Sequence, residues 1–130
     1  MHALETSKLI TEEYSAKILL GTMGTPKSAF DLSQDYNIPI AACYRKIHSL
    51  EEAGLLVCAE KKLTRAGKRM GYYSSAVLHA NITMERHKIH ATIILTDGRC
   101  IQTDYTREMA KMMGESSNAI VERAPVLGDA

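Results

Sequence analysis

The sequence predicts an α+β fold that is mainly helical, with a small β extension and a short helix at its C-terminal end. Two observations lead there. Apolar residues recur at helical spacing as far as Gly54, and beyond it they alternate with polar residues, as in strands. Asp97-Gly98, placed between two alternating runs, is a strong hairpin signal. The 45% apolar and 24% charged composition is that of a globular chain and excludes a wholly disordered one.

The length of 130 residues suits one domain, or one small domain with an accessory element. We expect a leader at 1–10, a main domain at 11–78, an extension at 79–114 and a tail at 115–130. The apolar runs are too short to span a bilayer, and the first residues lack the pattern of a secretory signal. Three scattered cysteines (Cys43, Cys58, Cys100) indicate reduced thiols, so we expect a cytoplasmic protein.

Three helices are predicted before Gly54. The first covers about 12–20, with Thr11 as its N-cap. The second begins after Ser28, because Ser28 with Asp31 three residues later has the spacing of a capping box. The third covers about 39–53 and opens on a proline. Two short helices joined by a three-residue turn, 37–39, predict a helix-turn-helix.

Strand-like alternation follows in 55–63 and 70–78, and the segment between them contains Gly67 and several cations. This predicts a β-hairpin with a basic tip. Further strands are expected within 76–105. Thr106 is a candidate N-cap of a short helix that ends at Gly114, and its methionines (Met109, Met112, Met113) are expected to pack or to form a partner surface.

The stretch 38–56 contains a Tyr-Arg-Lys run at 44–46 and a Leu-Glu-Glu-Ala-Gly-Leu ending at 50–55. It resembles the recognition helix of ArsR-type winged helix-turn-helix transcription regulators, with most similarity to small archaeal members. Thr64, Gly67-Lys68 and Tyr73 resemble the wing of that family. The resemblance covers about 11–78. It implies a winged helix-turn-helix that binds double-stranded DNA as a homodimer, with helix 39–53 in the major groove and hairpin 55–78 as the wing.

The charge distribution agrees with that expectation. The segment 40–75 has a net charge of +4 and the remaining residues −3, within a total of +1. On a helical projection, Arg45 lies opposite an apolar stripe made of Ile40, Cys43, Ile47 and Leu50. The predicted DNA-contacting residues are Ser28, Ala41, Ala42, Tyr44, Arg45, Lys46, His48, Ser49, Arg65, Lys68 and Arg69.

Each of these residue types suits one kind of contact. Arg45 can bridge O6 and N7 of a guanine, and Ala41 and Ala42 allow close approach to a thymine methyl group. Ser28, Lys46 and Tyr44 are expected at phosphates, which set the register without reading sequence. The hairpin cations are expected at phosphates or in the minor groove. Pairing of two copies is expected through the leader, the first helix and the elements after Leu78.

Other chemistries are weaker. The cysteines lack the short spacings of a metal site, and His87 and His90 would face opposite sides of a strand, so we expect no metal and no cofactor. The chain has no phosphate-binding glycine loop and no nucleophile elbow, and we predict that it is not an enzyme. Two further hypotheses stay open: a winged helix that docks on a larger protein complex, and a regulator whose extension binds a small-molecule effector.

Overall fold

The computed structural model describes residues 3–112 and 120–123, with side chains for 5–112. Within them the chain is mixed α+β, with five helices and two antiparallel sheets. It divides into two compact units. We call Leu9–Val77 the helix–hairpin unit, and Met1–Lys8 with Leu78–Ala130 the sheet unit. Among the described helices, none has the length and apolar character needed to cross a membrane.

The first part of the chain holds four helices: α1 (Ala3–Thr11), α2 (Glu13–Gly21), α3 (Ala29–Tyr36) and α4 (Ile40–Glu52). Helix α1 occupies most of the segment predicted as a loose leader. The N-cap of α2 is Glu12, not Thr11, because the Glu12 carboxylate accepts hydrogen bonds from the Tyr14 and Ser15 N–H groups. Thr11 is instead the last residue of α1.

The local signals around α3 and α4 are confirmed. Ser28 and Asp31 form the capping box, with the Asp31 N–H 3.1 Å from Ser28 Oγ and the Ser28 N–H 3.2 Å from Asp31 Oδ2. Asn37 ends α3 in the left-handed region, at φ 56°. Gly54 has φ 79° after α4, where a residue with a Cβ would be strained. These turns direct Leu55 back into the core, where it is fully buried.

The core of the helix–hairpin unit is formed where α2, α3 and α4 pack on one another. Its most buried apolar side chains are Ile18, Leu32, Ile38, Cys43, Ile47, Leu50, Leu55 and Leu56. The predicted stripe of α4 is wrong at one position: Ile40 is 44% exposed and Ala42 only 5%. Contacts with α2 and α3 shift the buried arc of α4 toward Ala42 and away from Ile40.

Strands β1 (Leu56–Leu63) and β2 (Arg69–Ser75) pair antiparallel, with an irregularity between Cys58 and Glu60. The turn contains Gly67 at φ 80°, as its position in the sequence predicts. The hairpin is tied to the segment before α3 by a two-way backbone bridge. The N–H of Lys27 donates to the Tyr73 carbonyl (3.0 Å), and the N–H of Tyr73 donates to the Lys27 carbonyl (2.7 Å).

The sheet unit contains a four-stranded sheet in the order β3 (Val77–Met84), β4 (Lys88–Leu95), β5 (Cys100–Thr106) and β6 (Ile120–Arg123). The Asp97-Gly98 turn joins β4 to β5, and Thr106 caps helix α5 (Arg107–Lys111), both as predicted. The inner positions of β4 are buried, whereas β3 leaves several apolar side chains exposed.

The structure differs from the predictions for the C-terminal segment in two respects. The predicted tail 115–130 contains β6, because the run that starts at Ile120 pairs with β5. Helix α5 has no buried residue, and Met112 is 64% exposed, so its packing is weaker than the methionine pattern predicts. Met113 and Gly114 lie outside the described residues.

Candidate nucleic-acid interface

The exposed arc of α4 is a continuous surface on the helix–hairpin unit. It presents Ile40, Ala41, Tyr44, Arg45 and His48 to solvent. This places Arg45 on the side opposite the buried Cys43, as the helical projection predicts. Within the described part of the chain, no carboxylate pairs with the Arg45 guanidinium. The guanidinium is therefore free to make a bidentate contact with an external acceptor.

Two residues predicted to contact DNA are not available to it. Ser28 is 1% exposed, and its hydroxyl is engaged as the N-cap of α3. The capping role fixes this side chain inward, which the sequence signal for the cap already implied. Ala42 is also buried, for the reason given for the shifted arc of α4. Ala41, beside it, is exposed, and its close approach to a base stays a prediction.

Lys46 lies at the edge of α4 and is already paired. Its Nζ is 3.3 Å from Oε1 of Glu12, and both side chains are only about one-third exposed. Burial raises the pKa of Glu12, but hydrogen bonds from the Ser15 and Tyr14 N–H groups, the Ser15 hydroxyl and Lys46 outweigh it and lower the pKa overall. The carboxylate is thus charged at neutral pH, and it holds Lys46 against α2 rather than at a phosphate.

The remaining two predicted residues of α4 are less committed. His48 is exposed, with Nε2 3.5 Å from Oε2 of Glu52 one turn later. Such an exposed pair is weak and can be exchanged for another acceptor. Ser49 is half-buried, on the same side of the helix as Lys46. His48 is therefore the more accessible of the two.

The hairpin presents the second group of cations. Arg65, Lys68 and Arg69 are all exposed, and no carboxylate lies within ion-pair distance of them in the described residues. Lys62 differs, because its Nζ lies 3.5 Å from Oε1 of Glu60 and 4.8 Å from the centre of the Tyr72 ring. The three cations at and beside the tip, and Lys61 on β1, therefore lack a carboxylate partner in the described residues.

A cleft of about 400 Å³ lies between α4 and the hairpin, and it brings part of both groups together. Its walls are Ala29, Tyr44, Thr64, Lys68, Arg69, Met70, Gly71 and Tyr73. Tyr44 of the predicted recognition helix thus shares one concave surface with two of the predicted hairpin cations. Arg45 and Arg65 do not line it.

Thr64 and Tyr73 are cleft residues that the list of predicted contacts missed. Burial raises the pKa of the Tyr73 phenol, and the charge of Glu51 raises it further, so the phenol is a neutral hydroxyl at physiological pH. Successive side chains of β2 lie on opposite faces of the hairpin, so the face on which Tyr73 lies cannot be assigned until the register is known. Only its match to the wing pattern pointed to it.

Two histidines of the sheet unit, His87 and His90, are held by protein partners. His90 lies on β4, with Nδ1 2.5 Å from Oδ1 of Asp104 and Nε2 3.0 Å from the Thr92 hydroxyl. His87 was expected on the same strand but precedes it, in the turn after β3, where its Nδ1 contacts the Arg107 guanidinium. In the described residues, no three His, Cys, Asp or Glu side chains are grouped as a metal site requires.

Cys43 is fully buried, as predicted for a small apolar residue, and burial raises the pKa of its thiol. Cys58 is exposed and Cys100 is buried.

Comparison with protein-family models, with curated proteins and with solved structures finds no match to this chain.

Proposed function

We propose that the chain is a sequence-specific DNA-binding transcription regulator that acts as a homodimer, and that Leu9–Val77 is a winged helix-turn-helix of the ArsR type. One observation carries the proposal. The uncompensated cations of the helix–hairpin unit lie on the exposed arc of α4 and on the hairpin, and Tyr44, Lys68 and Arg69 meet at one cleft. A surface of this kind fits a polyanion.

Helix α4 is the proposed reader of the major groove. Arg45 has the length and the free guanidinium to reach O6 and N7 of a guanine, and the small side chain of Ala41 permits the helix to approach the bases. Tyr44 and His48, on the flank of the same arc, are proposed to contact the backbone of one strand.

The hairpin is the proposed wing. Arg65, Lys68 and Arg69 are flexible exposed cations, and we assign them to phosphates beside the groove that α4 enters. Thr64 and Tyr73, which line the cleft, are proposed to donate hydrogen bonds from their hydroxyl groups to the backbone of the same DNA strand. Because one short helix reads only a few base pairs, two copies related by a two-fold axis are needed for a specific site.

The test separates base reading from phosphate contact. A preferred sequence is first selected from a random DNA pool, and binding is then measured on that site and on a scrambled duplex across a salt series. Arg45→Ala should cost about 1–3 kcal/mol on the selected site and little on the scrambled one. Lys68→Ala with Arg69→Ala should weaken both duplexes equally and reduce the salt slope by about 2.

Arg99→Ala is the matched control, because Arg99 is an exposed arginine of the sheet unit that is already paired with Asp97. It should leave both affinities unchanged. Arg45→Ala behaving like this control would remove α4 as the reader. If the hairpin variant also behaves like the control, the surface does not bind DNA, and a protein-docking role takes its place.

A further inference from the structure

Strand β3 is the exposed edge of the sheet in the sheet unit. Among the described strands it has a sheet neighbour, β4, on one side only. Three of its apolar side chains are exposed: Leu78 is 64% exposed, Ile82 42% and Met84 78%. These three positions and Ala80 share one face of the strand, because successive strand residues alternate sides. An uncovered apolar row on an edge strand is a site for strand addition.

The sequence of β3 has none of the usual protection against such pairing. Edge strands in monomers are normally blocked by charged residues, by proline or by their short length. Val77–Met84 is eight residues long and contains no charged residue and no proline. The strand at the other edge, β6, is half as long and includes Glu122 and Arg123. The two edges of this sheet are therefore not equivalent.

The pattern of β3 is also complementary to itself. Apolar residues stand at 78, 80, 82 and 84, and uncharged polar residues at 79, 81 and 83, so the order is symmetric about Asn81. An antiparallel pair centred on Asn81 places Leu78 opposite Met84 of a second copy, and Ala80 opposite Ile82. Each of these four apolar residues then meets an apolar one, and no like charges face each other.

We propose that β3 is the surface through which two copies of this chain pair, strand to strand, about a two-fold axis at Asn81. The sheet then runs continuously through both copies, and each apolar row is extended by that of the other. This inference supplies the interface for the homodimer in the proposed function. Of the elements that the sequence predicted to pair two copies (the leader, the first helix and the elements after Leu78), it uses only β3. It does not involve the cleft between α4 and the hairpin.

The first test is the mass of the full chain in solution without DNA, by sedimentation at micromolar concentrations. The wild type should have twice the 14.4 kDa chain mass. Ile82→Lys with Met84→Lys puts like charges on the edge and should raise the dimer dissociation constant at least about tenfold. The control is Leu20→Lys on α2, a similar change at a side chain that is 69% exposed, and it should sediment as wild type.

The second test fixes the register and does not depend on how well the charged variant folds. In a Cys58→Ser background, which removes the exposed native thiol, Asn81→Cys should form a disulfide-linked dimer on mild oxidation. Leu78→Cys is the control, because in this register the two copies of position 78 lie about 20 Å apart. That distance is too long for a disulfide.

Four results would overturn the proposal: a wild-type monomer, a charged variant that dimerises as wild type does, loss of the dimer only in Leu20→Lys, or cross-linking at 78 as strong as at 81. Since none of these measurements contains DNA, a failure here leaves DNA binding to its own test, although a wild-type monomer would also contradict the homodimer of the proposed function. A dimer that gives the expected results in both tests but binds no DNA would contradict that proposal and support this one.

Discussion

Replacing Glu12 with alanine separates the structural role of this residue from the role of its partner on α4. The Glu12 carboxylate caps α2 through the N–H groups of Tyr14 and Ser15, at 3.1 and 3.0 Å. It also accepts a hydrogen bond from the buried Ser15 hydroxyl and pairs with Lys46. Glu12→Ala removes all four contacts, so we expect a less stable protein with a released lysine.

The size of the effect follows from those contacts. Loss of a side-chain N-cap costs about 1 kcal/mol. The ion pair with Lys46 adds about 1 kcal/mol, at the upper end of the range for surface pairs, because both side chains are largely shielded from solvent. The expected loss in the free energy of unfolding is therefore about 2 kcal/mol.

Urea unfolding measures the loss, with Glu13→Ala as the matched control. Glu13 is the adjacent glutamate. In the part of the chain that the structure describes, its only ion pair is with Lys17 one turn later, at 3.6 Å and with the Glu13 side chain 77% exposed. A pair of that kind is worth about 0.3–0.5 kcal/mol. If Glu12→Ala and Glu13→Ala lose the same stability, then Glu12 neither caps α2 nor anchors α4.

The same variant, although less stable, is expected to bind DNA more tightly. With Glu12 gone, Lys46 can reach a phosphate, so the slope of log affinity against log salt should steepen by about 1. Binding to the scrambled duplex at low salt should tighten in Glu12→Ala and stay unchanged in Glu13→Ala. An unchanged slope in Glu12→Ala would show that Lys46 does not face the nucleic acid even when it is released.

Three further outcomes test the packing and the charges. Leu50→Ala empties a fully buried position and should cost about 2–5 kcal/mol in urea unfolding. Gly21→Ala places a Cβ 2.6 Å from the Tyr36 ring, and the clash should cost about 1–3 kcal/mol and shrink when Tyr36 is also replaced by alanine. The hydrogen bond from His90 lowers the pKa of Asp104 below its ordinary value of 3.8. The contribution of the Asp104 carboxylate to stability is therefore complete above that pH and is lost as the pH falls through the lowered pKa. Asp104→Asn should therefore reduce stability at neutral pH and flatten the acid side of the stability profile, and an unchanged profile would contradict this.

Most turns and caps of this fold could be predicted from sequence because their signals are local; the N-cap of α2, predicted at Thr11 but formed by Glu12, is an exception. Ser28 with Asp31, Gly54 and Asp97-Gly98 each act within a few residues, and all three adopt the expected conformation. The same is true of Thr106 before α5. Such residues determine where an element begins or ends regardless of what packs against it.

The candidate site was predicted less completely because part of it depends on tertiary contacts. Which flank of α4 is buried, and hence the exchange of Ile40 for Ala42, is decided by α2 and α3. Lys46 has the spacing of a phosphate contact but is held by Glu12, 34 positions earlier in the chain. A helical projection includes only residues of its own helix, so it could predict neither the burial of Ala42 nor the pairing of Lys46 with Glu12.

The bridge between Lys27 and Tyr73 has a consequence for how this architecture can change over time. Both of its hydrogen bonds join main-chain atoms, so the attachment of the hairpin does not depend on which side chains stand at these two positions. Substitutions at either position other than proline can alter the chemistry of the surface while the hairpin keeps its place. The tip can therefore diversify, and relatives with the same hairpin placement need share no residue at its point of attachment.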